Sequence, residues 1–196
     1  MNAVILIPAR YQSSRYPGKP LVELKGASGT PKPLIQRTVE AARRVRGVSG
    51  VFVVTDDERI ADACLPVRVG VIMTSPQCRN GSERCAEALG QIHDVDLIIN
   101  FQGDALLTPP SFVEALIDRM RDDPEALVAT PAMRLRSNEV RALMAEEAAG
   151  RVGGTSVVTD ASGRALYFSK RLIPYLPAWI EAELSPIKLH VGIYAY

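Results

Sequence analysis

Arg10, Arg15 and Lys19 lie within ten residues of one another, immediately after the short apolar run Val4–Ile7. Between the cations stand small and polar residues, Ala9, Gln12, Ser13 and Ser14, and Pro17-Gly18 forces a turn ahead of Lys19. An arginine forks onto phosphate oxygens and a lysine acts as a point charge, so the group suits a polyphosphate. The other reading of three scattered cations is a solvated surface loop. Further on, Asp104 follows Gln102-Gly103 directly after the apolar run Leu97–Phe101. That places a carboxylate at a strand's carboxyl end, where a hard cation such as Mg2+ can take one carboxylate together with phosphate oxygens and water. A simple turn aspartate is the alternative. Asn80-Gly81-Ser82-Glu83-Arg84 reads as a helix start whose backbone N–H groups and Ser82 hydroxyl can meet the edge of a base. Glu83 and Arg84 fit equally well as a helix-capping acid and a surface cation.

The elements that must hold these groups alternate along the chain. Val4–Ile7, Val51–Thr55, Val69–Met73, Leu97–Phe101 and Leu127–Thr130 are strand candidates rich in Val, Ile and Leu. Asp57–Cys64 looks like a short helix. Leu34, Ile35, Thr38, Val39, Ala42 and Val45 keep helical spacing. Ser82 caps a helix with Cys85, Ala86, Leu89 and Ile92 inward, and Ser111 with Glu114 forms a capping box before a helix reaching Met120. Such alternation implies right-handed βαβ units and a mostly parallel sheet covered on both faces, and a loop at a strand's carboxyl end is where such sheets place ligands. After about Ser137 the rhythm changes. Asn138–Glu147 reads as a helix and Gly150–Gly154 as a turn. Thr155–Thr159 with Arg164–Ser169 reads as a hairpin, and Leu189–Tyr196 as a last strand that puts His190 and Tyr194 on one face.

Composition narrows the classes. A length of 196 residues suits one domain with a small appendage. With 47% hydrophobic and 23% charged residues the chain is an ordinary globular one, and a net charge of +1 argues against a broad nucleic-acid or anionic-membrane surface. No segment is long enough to span a bilayer. Three cysteines without CxxC spacing, Cys64, Cys78 and Cys85, read as reduced thiols, and the expected setting is cytoplasmic. Neither a Walker A pattern nor GxGxxG is present, which removes P-loop NTPase and dinucleotide oxidoreductase readings.

Pro8-Ala9-Arg10 with Ser14-Arg15-Tyr16-Pro17-Gly18-Lys19-Pro20-Leu21 resembles the opening signature of the sugar-activating cytidylyltransferases, most closely those for 3-deoxy-manno-octulosonate (Kdo). Asn80–Arg84, Asn100-Phe101-Gln102-Gly103-Asp104, Ala165–Ser169 and His190-Val191-Gly192-Ile193-Tyr194 match in the same order, so the likeness spans the chain. The resemblance implies a three-layer, mostly parallel, Rossmann-like nucleotide-diphospho-sugar transferase sheet, about residues 1–137. A smaller β-rich lobe, about 138–196, serves sugar binding and homodimer contact. It also implies an Mg2+-dependent enzyme that joins CTP to Kdo or a related acidic sugar, releasing pyrophosphate, for lipopolysaccharide or capsule synthesis. Attack of a sugar hydroxyl on the α-phosphorus then relies on positioning and charge stabilisation. By resemblance Arg10, Lys19 and Asp104 are catalytic and Asp104 holds the metal. Pro8, Ala9, Arg10, Arg15, Lys19, Gly81, Ser82 and Gln102 bind the nucleotide, with Gly81, Ser82 and Gln102 facing cytosine. Lys170, His190 and Tyr194 go to the sugar acid, with Arg171 near as a carboxylate partner.

The chain also departs from that pattern. Ala105-Leu106 replace the family's Glu-Pro, Gln77-Cys78 an Asp-His pair, and Lys170 an arginine; Thr155-Ser156 stand where a lysine is common, and Ala27–Pro31 is inserted. The sequence stops at Tyr196, ahead of the family's Glu-rich helix and its late Gly-x-Asp-Thr metal ligand. A chain ending there is expected to bind nucleotide but to make CMP-sugar slowly or not at all. An impaired or truncated nucleotide-binding homologue, and a nucleotidyltransferase for another sugar, are the alternatives.

Overall fold

The computed structural model describes residues 1–12, 16–176 and 183–196. The elements are, in chain order, β1 (Ala3–Pro8), a hairpin of β2 (Glu23–Lys25) and β3 (Pro31–Pro33), α1 (Leu34–Ala42), β4 (Gly50–Thr55) and α2 (Glu58–Cys64). Next come β5 (Gly70–Met73), α3 (Gly81–Ala88), β6 (Leu97–Phe101), α4 (Pro110–Asp122), β7 (Ala132–Arg136) and α5 (Ser137–Ala148). The last are β8 (Ser156–Thr159), β9 (Ala165–Ser169), β10 (Leu184–His190) and β11 (Ile193–Ala195).

All six residues of β1 are buried, as the middle strand of a sheet covered on both faces requires. The main sheet runs β11-β6-β1-β4-β5, parallel except for β11, which lies antiparallel to β6. Alternation along β1 sends Ile5 and Ile7 into a core with Ile35 and Val39 of α1, Ile60 and Cys64 of α2, and Val113, Leu116 and Ile117 of α4. Val4 and Leu6 face the other way, onto Cys85 and Ala88 of α3. Each such side chain, fully buried, contributes roughly 1.5–3 kcal/mol. The expected three-layer α/β sheet is thus present.

The chain forms two compact units, Met1–Ala129 with Gly192–Tyr196, and Thr130–Val191. In the second, β7-β10-β8-β9 form an antiparallel sheet, and Leu135, Val140 and Ile187 form its core. The change of pattern therefore falls at Thr130 rather than near Ser137, and the last five residues return to the first unit.

Local expectations fail at four places. Leu127–Thr130 is not a strand: Ala129 alone bridges to Ala195, Leu127 and Val128 are exposed, and Pro131 lacks the N–H to continue a ladder. Asn80 rather than Ser82 caps α3, its side chain accepting from Glu83 N at 2.9 Å. Ser111 makes no capping box, because Pro110 already starts α4 and the Glu114 carboxylate is taken by Arg46 at 3.0 and 3.1 Å. The strand expected over Leu189–Tyr196 is two strands, in different sheets, so the even spacing of His190 and Tyr194 does not put them on one face.

Candidate active site at the β1–β6 switch point

From β1 the chain proceeds outward to β4 and β5, then returns to the other side of β1 with β6. The order therefore reverses between β1 and β6, and the carboxyl ends of two such strands leave a crevice between their diverging connections. A cleft of about 540 Å³, open mouth included, lies there, lined among others by Pro8, Ala9, Arg10, Gly81, Arg84 and Gln102. Of the residues expected to bind a nucleotide, five thus line one cleft.

The loop after β1 is held by its own residues. Gly18 N donates to Tyr11 O at 2.8 Å, and Gly18 has φ +71°, a left-handed conformation that glycine adopts without strain. A Cβ there would also meet the Tyr11 ring at 3.2 Å, and the Arg59 guanidinium lies over that ring, 3.4 Å from its centroid. The turn delivers Lys19 to Asp104, with which it forms an ion pair, both side chains about half exposed. Asp104 is itself placed by Gly103, where a Cβ would come within 2.9 Å of Pro8 O, and by the buried Thr38 hydroxyl, which donates to Gly103 O at 2.8 Å. Arg10 is exposed and donates to Arg79 O at 3.4 Å. Arg15 lies outside the described residues.

At the amino end of α3, Glu83 accepts from Arg79 N at 2.8 Å, and the Arg79 guanidinium beside it holds its carboxyl below the usual range. Glu83 is thus a capping acid. Arg84 is not a surface cation: it is 2% exposed, donates to Thr74 Oγ1 at 2.6 Å and pairs with Asp56 Oδ2 at 3.3 Å. Because of that partner the inner face of α3 is Arg84, Cys85 and Ala88, while Ala86 and Leu89, expected inside, are exposed. Ser82 Oγ accepts from Asn100 Nδ2 at 3.5 Å, and the same nitrogen donates to the Tyr196 hydroxyl at 3.0 Å.

In the second unit, Lys170 Nζ donates to Thr155 Oγ1 at 2.6 Å, and His190 N donates to Thr155 O at 2.8 Å, so these two expected sugar ligands stand around one threonine. The His190 ring meets Thr130 Oγ1 at 2.9 Å and Phe168 edge-on at 5.2 Å. Burial, and to a lesser degree Lys170, lowers its pKa, which favours the neutral ring. Arg171, expected near a carboxylate ligand, is tied to Glu147 at 2.8 Å. Tyr194, in the first unit, is half-buried on β11 opposite Asn100.

The three cysteines are free thiols, and burial pushes Cys64 up to about 11 and Cys85 to about 12, which makes both inert. Among the described residues no three His, Cys, Asp or Glu side chains gather to hold a metal. A half-exposed carboxylate paired with Lys19 nevertheless fits Mg2+, which keeps waters and takes phosphate oxygens rather than an all-protein cage.

Fold and cleft together place the chain in the class of α/β nucleotide-binding proteins, with a candidate ligand site at a topological switch point. The chain belongs to the cytidylyltransferase family, whose model matches residues 4–196. It is 40% identical to the 3-deoxy-manno-octulosonate cytidylyltransferase of Maricaulis maris over all of this chain and 73% of that protein. It is 42% identical to the enzyme of the same name from Escherichia coli, over all of this chain and 72% of that one. A solved structure of CMP:2-keto-3-deoxy-manno-octonic acid synthetase complexed with CTP superposes with a TM-score of 0.82 at 40% identity, covering all of this chain and 74% of its own.

Sequence reasoning missed the Asp56–Arg84–Thr74 cluster and gave Asn100 no role. The second had a signal, a lone amide in the apolar strand Leu-Ile-Ile-Asn-Phe.

Proposed function

We propose that this chain joins CTP to Kdo, giving CMP-Kdo and pyrophosphate, at the β1–β6 cleft, with a role in lipopolysaccharide synthesis. The carrying observation is the end-to-end match at 40% identity to enzymes of that name, together with the cleft that Pro8, Ala9, Arg10, Gly81 and Gln102 line. Arg10 and Lys19 neutralise the triphosphate, Gln102 and the Gly81 turn meet cytosine, and Lys170 and His190 hold the sugar acid. Bound Mg2+ supplies positive charge to the phosphate oxygens, with Asp104 as its protein ligand. The Lys19–Asp104 pair suits this exchange: at half exposure such a pair contributes at most about 1 kcal/mol. The pair would therefore open at little cost, leaving Lys19 for phosphate and Asp104 to hold Mg2+.

A homodimer is part of the same reading. β9 is an edge strand, and Leu166, Tyr167 and Phe168 on it are exposed, a surface that a second copy would cover. Free thiols and a nucleoside triphosphate substrate favour a cytoplasmic setting.

The test supplies the protein with CTP, Mg2+ and, in turn, Kdo, another acidic sugar and a neutral polyol. In place of the slow or absent turnover expected from the sequence alone, the match of the whole chain to enzymes of that name leads us to expect pyrophosphate and CMP-sugar in equal amounts with Kdo. Equal turnover with the polyol, or product with none of them, would contradict the reading.

A further inference from the structure

Arg84 is 2% exposed and yet forms part of the wall of the cleft, and the proposed reaction gives it no task. It stands one helical turn after Gly81, and a helical side chain leans toward the helix's amino end, so it runs back toward the turn that opens α3. Its Nη1 donates to Thr74 Oγ1 at 2.6 Å, and its Nη2 pairs with Asp56 Oδ2 at 3.3 Å. Thr74 directly follows β5, and Asp56 directly follows β4. The direction of these bonds is fixed. A guanidinium only donates and a backbone carbonyl only accepts. The Thr74 hydroxyl gives its one hydrogen to Thr55 O at 3.1 Å, so it accepts from Arg84. Thr74 N also donates to Thr55 O, at 2.8 Å, which ties the two strand ends together. Through one side chain the amino end of α3 is thus fastened to the carboxyl ends of β4 and β5.

We infer that Arg84 is a positioning residue for the base: held by Thr74 and Asp56, it sets how deep the Gly81 turn sits at the sheet edge, and so whether that turn and Gln102 can meet one cytosine together. The fit there is close. A Cβ on Gly81 would come within 3.0 Å of Pro8 Cγ, at the end of β1, and 3.7 Å of Gln102 Nε2. A small movement of the turn therefore changes the gap that a base edge has to fill. Hydrogen bonds weaken steeply once donor and acceptor lose their alignment, so base contacts are sensitive to such a movement. The phosphates fall to the loop after β1, where Lys19 is held by Asp104 rather than through α3. Loosening α3 then costs a nucleotide its base contacts while the phosphate contacts stand. The inference rests on the cytidylyltransferase reading of the cleft.

The test measures dissociation constants for CTP and for ribose 5-triphosphate, which carries the same phosphates without the base. Both are titrated with Mg2+ by calorimetry into the wild-type chain, Thr74→Val, Thr74→Ser and the double variant Asp56→Asn with Arg84→Met, each checked for a cooperative thermal melt. Wild type is expected to prefer CTP. Thr74→Val keeps the shape and removes the acceptor for Arg84. It is expected to reduce the preference for CTP about tenfold, the scale of one hydrogen bond, with ribose 5-triphosphate bound as in wild type. The double variant removes the tie without leaving a buried charge unpaired, is expected to reduce the preference in the same direction, and decides the matter if Thr74→Val does not fold. Thr74→Ser keeps the hydroxyl and is expected to retain the preference. Equal losses for the two ligands in the folded variants, or an unchanged preference, would overturn the positioning role while leaving the cytidine site standing. A wild-type chain that binds CTP no better than ribose 5-triphosphate would overturn both.

Discussion

Arg84→Met is expected to destabilise the chain by about 3–5 kcal/mol, near the lower figure because Asp56 keeps some contact with water. The Arg84 side chain is 3% exposed and that of Asp56 18%. Asp56 Oδ1 is buried without a hydrogen-bond partner, so Arg84 is the charge that compensates this carboxylate. Removing it leaves a largely buried anion opposed by nothing, whereas removing both charges removes the problem. The double variant Asp56→Asn with Arg84→Met is therefore expected to recover more than half of the loss. For a chain of this length 3 kcal/mol corresponds to a fall in melting temperature of roughly 6–12 °C. Thermal or urea unfolding of the three proteins checks this, and a single variant as stable as wild type would show that the pair carries no weight.

Lys19→Ala is expected to weaken CTP binding by about 1.5–3 kcal/mol, the scale of one charge-assisted contact, which is roughly 10- to 150-fold. The fold should be unaffected, because Lys19 is half exposed and its partner is a surface carboxylate. Asp104→Asn separates the two roles proposed for this pair. It should weaken CTP binding when Mg2+ is present, and leave it unchanged or slightly stronger in chelator, where the carboxylate only competes for Lys19. Calorimetry with and without Mg2+ reads both effects. Wild-type affinity in Lys19→Ala would remove the phosphate assignment.

Much of this was legible in the sequence because it is written in local pattern. An uninterrupted Val4–Ile7 run has few outcomes other than a covered strand, and β1 is wholly buried. Gly18 was visible as a turn residue, and its left-handed φ with the contact that a Cβ would make accounts for glycine there. The misreadings share a cause, which is that the deciding partner is distant in sequence. Arg84 looks like a surface residue until Asp56, just past the end of β4, is seen to pair with it. Glu114 looks like a capping acid until Arg46 takes it. His190 and Tyr194 look like one strand face because nothing local announces that the chain leaves one sheet at Val191 and joins another at Ile193. Asn100 matched a motif, but its hydrogen-bond partner Tyr196 stands ninety-six positions away.

The most direct test of the central claim, that the β1–β6 cleft is a cytidine nucleotide site, is calorimetric titration of the wild-type chain with CTP, ATP and GTP in the presence of Mg2+. The account predicts saturable one-to-one binding of CTP, with ATP and GTP at least tenfold weaker, because a purine's second ring changes the reach of its edge toward Gln102 and the Gly81 turn, and guanine also presents a carbonyl where cytosine has its amino group. Equal affinity for all three nucleotides would reduce the cleft to a generic phosphate site, and no binding of CTP would contradict the assignment outright.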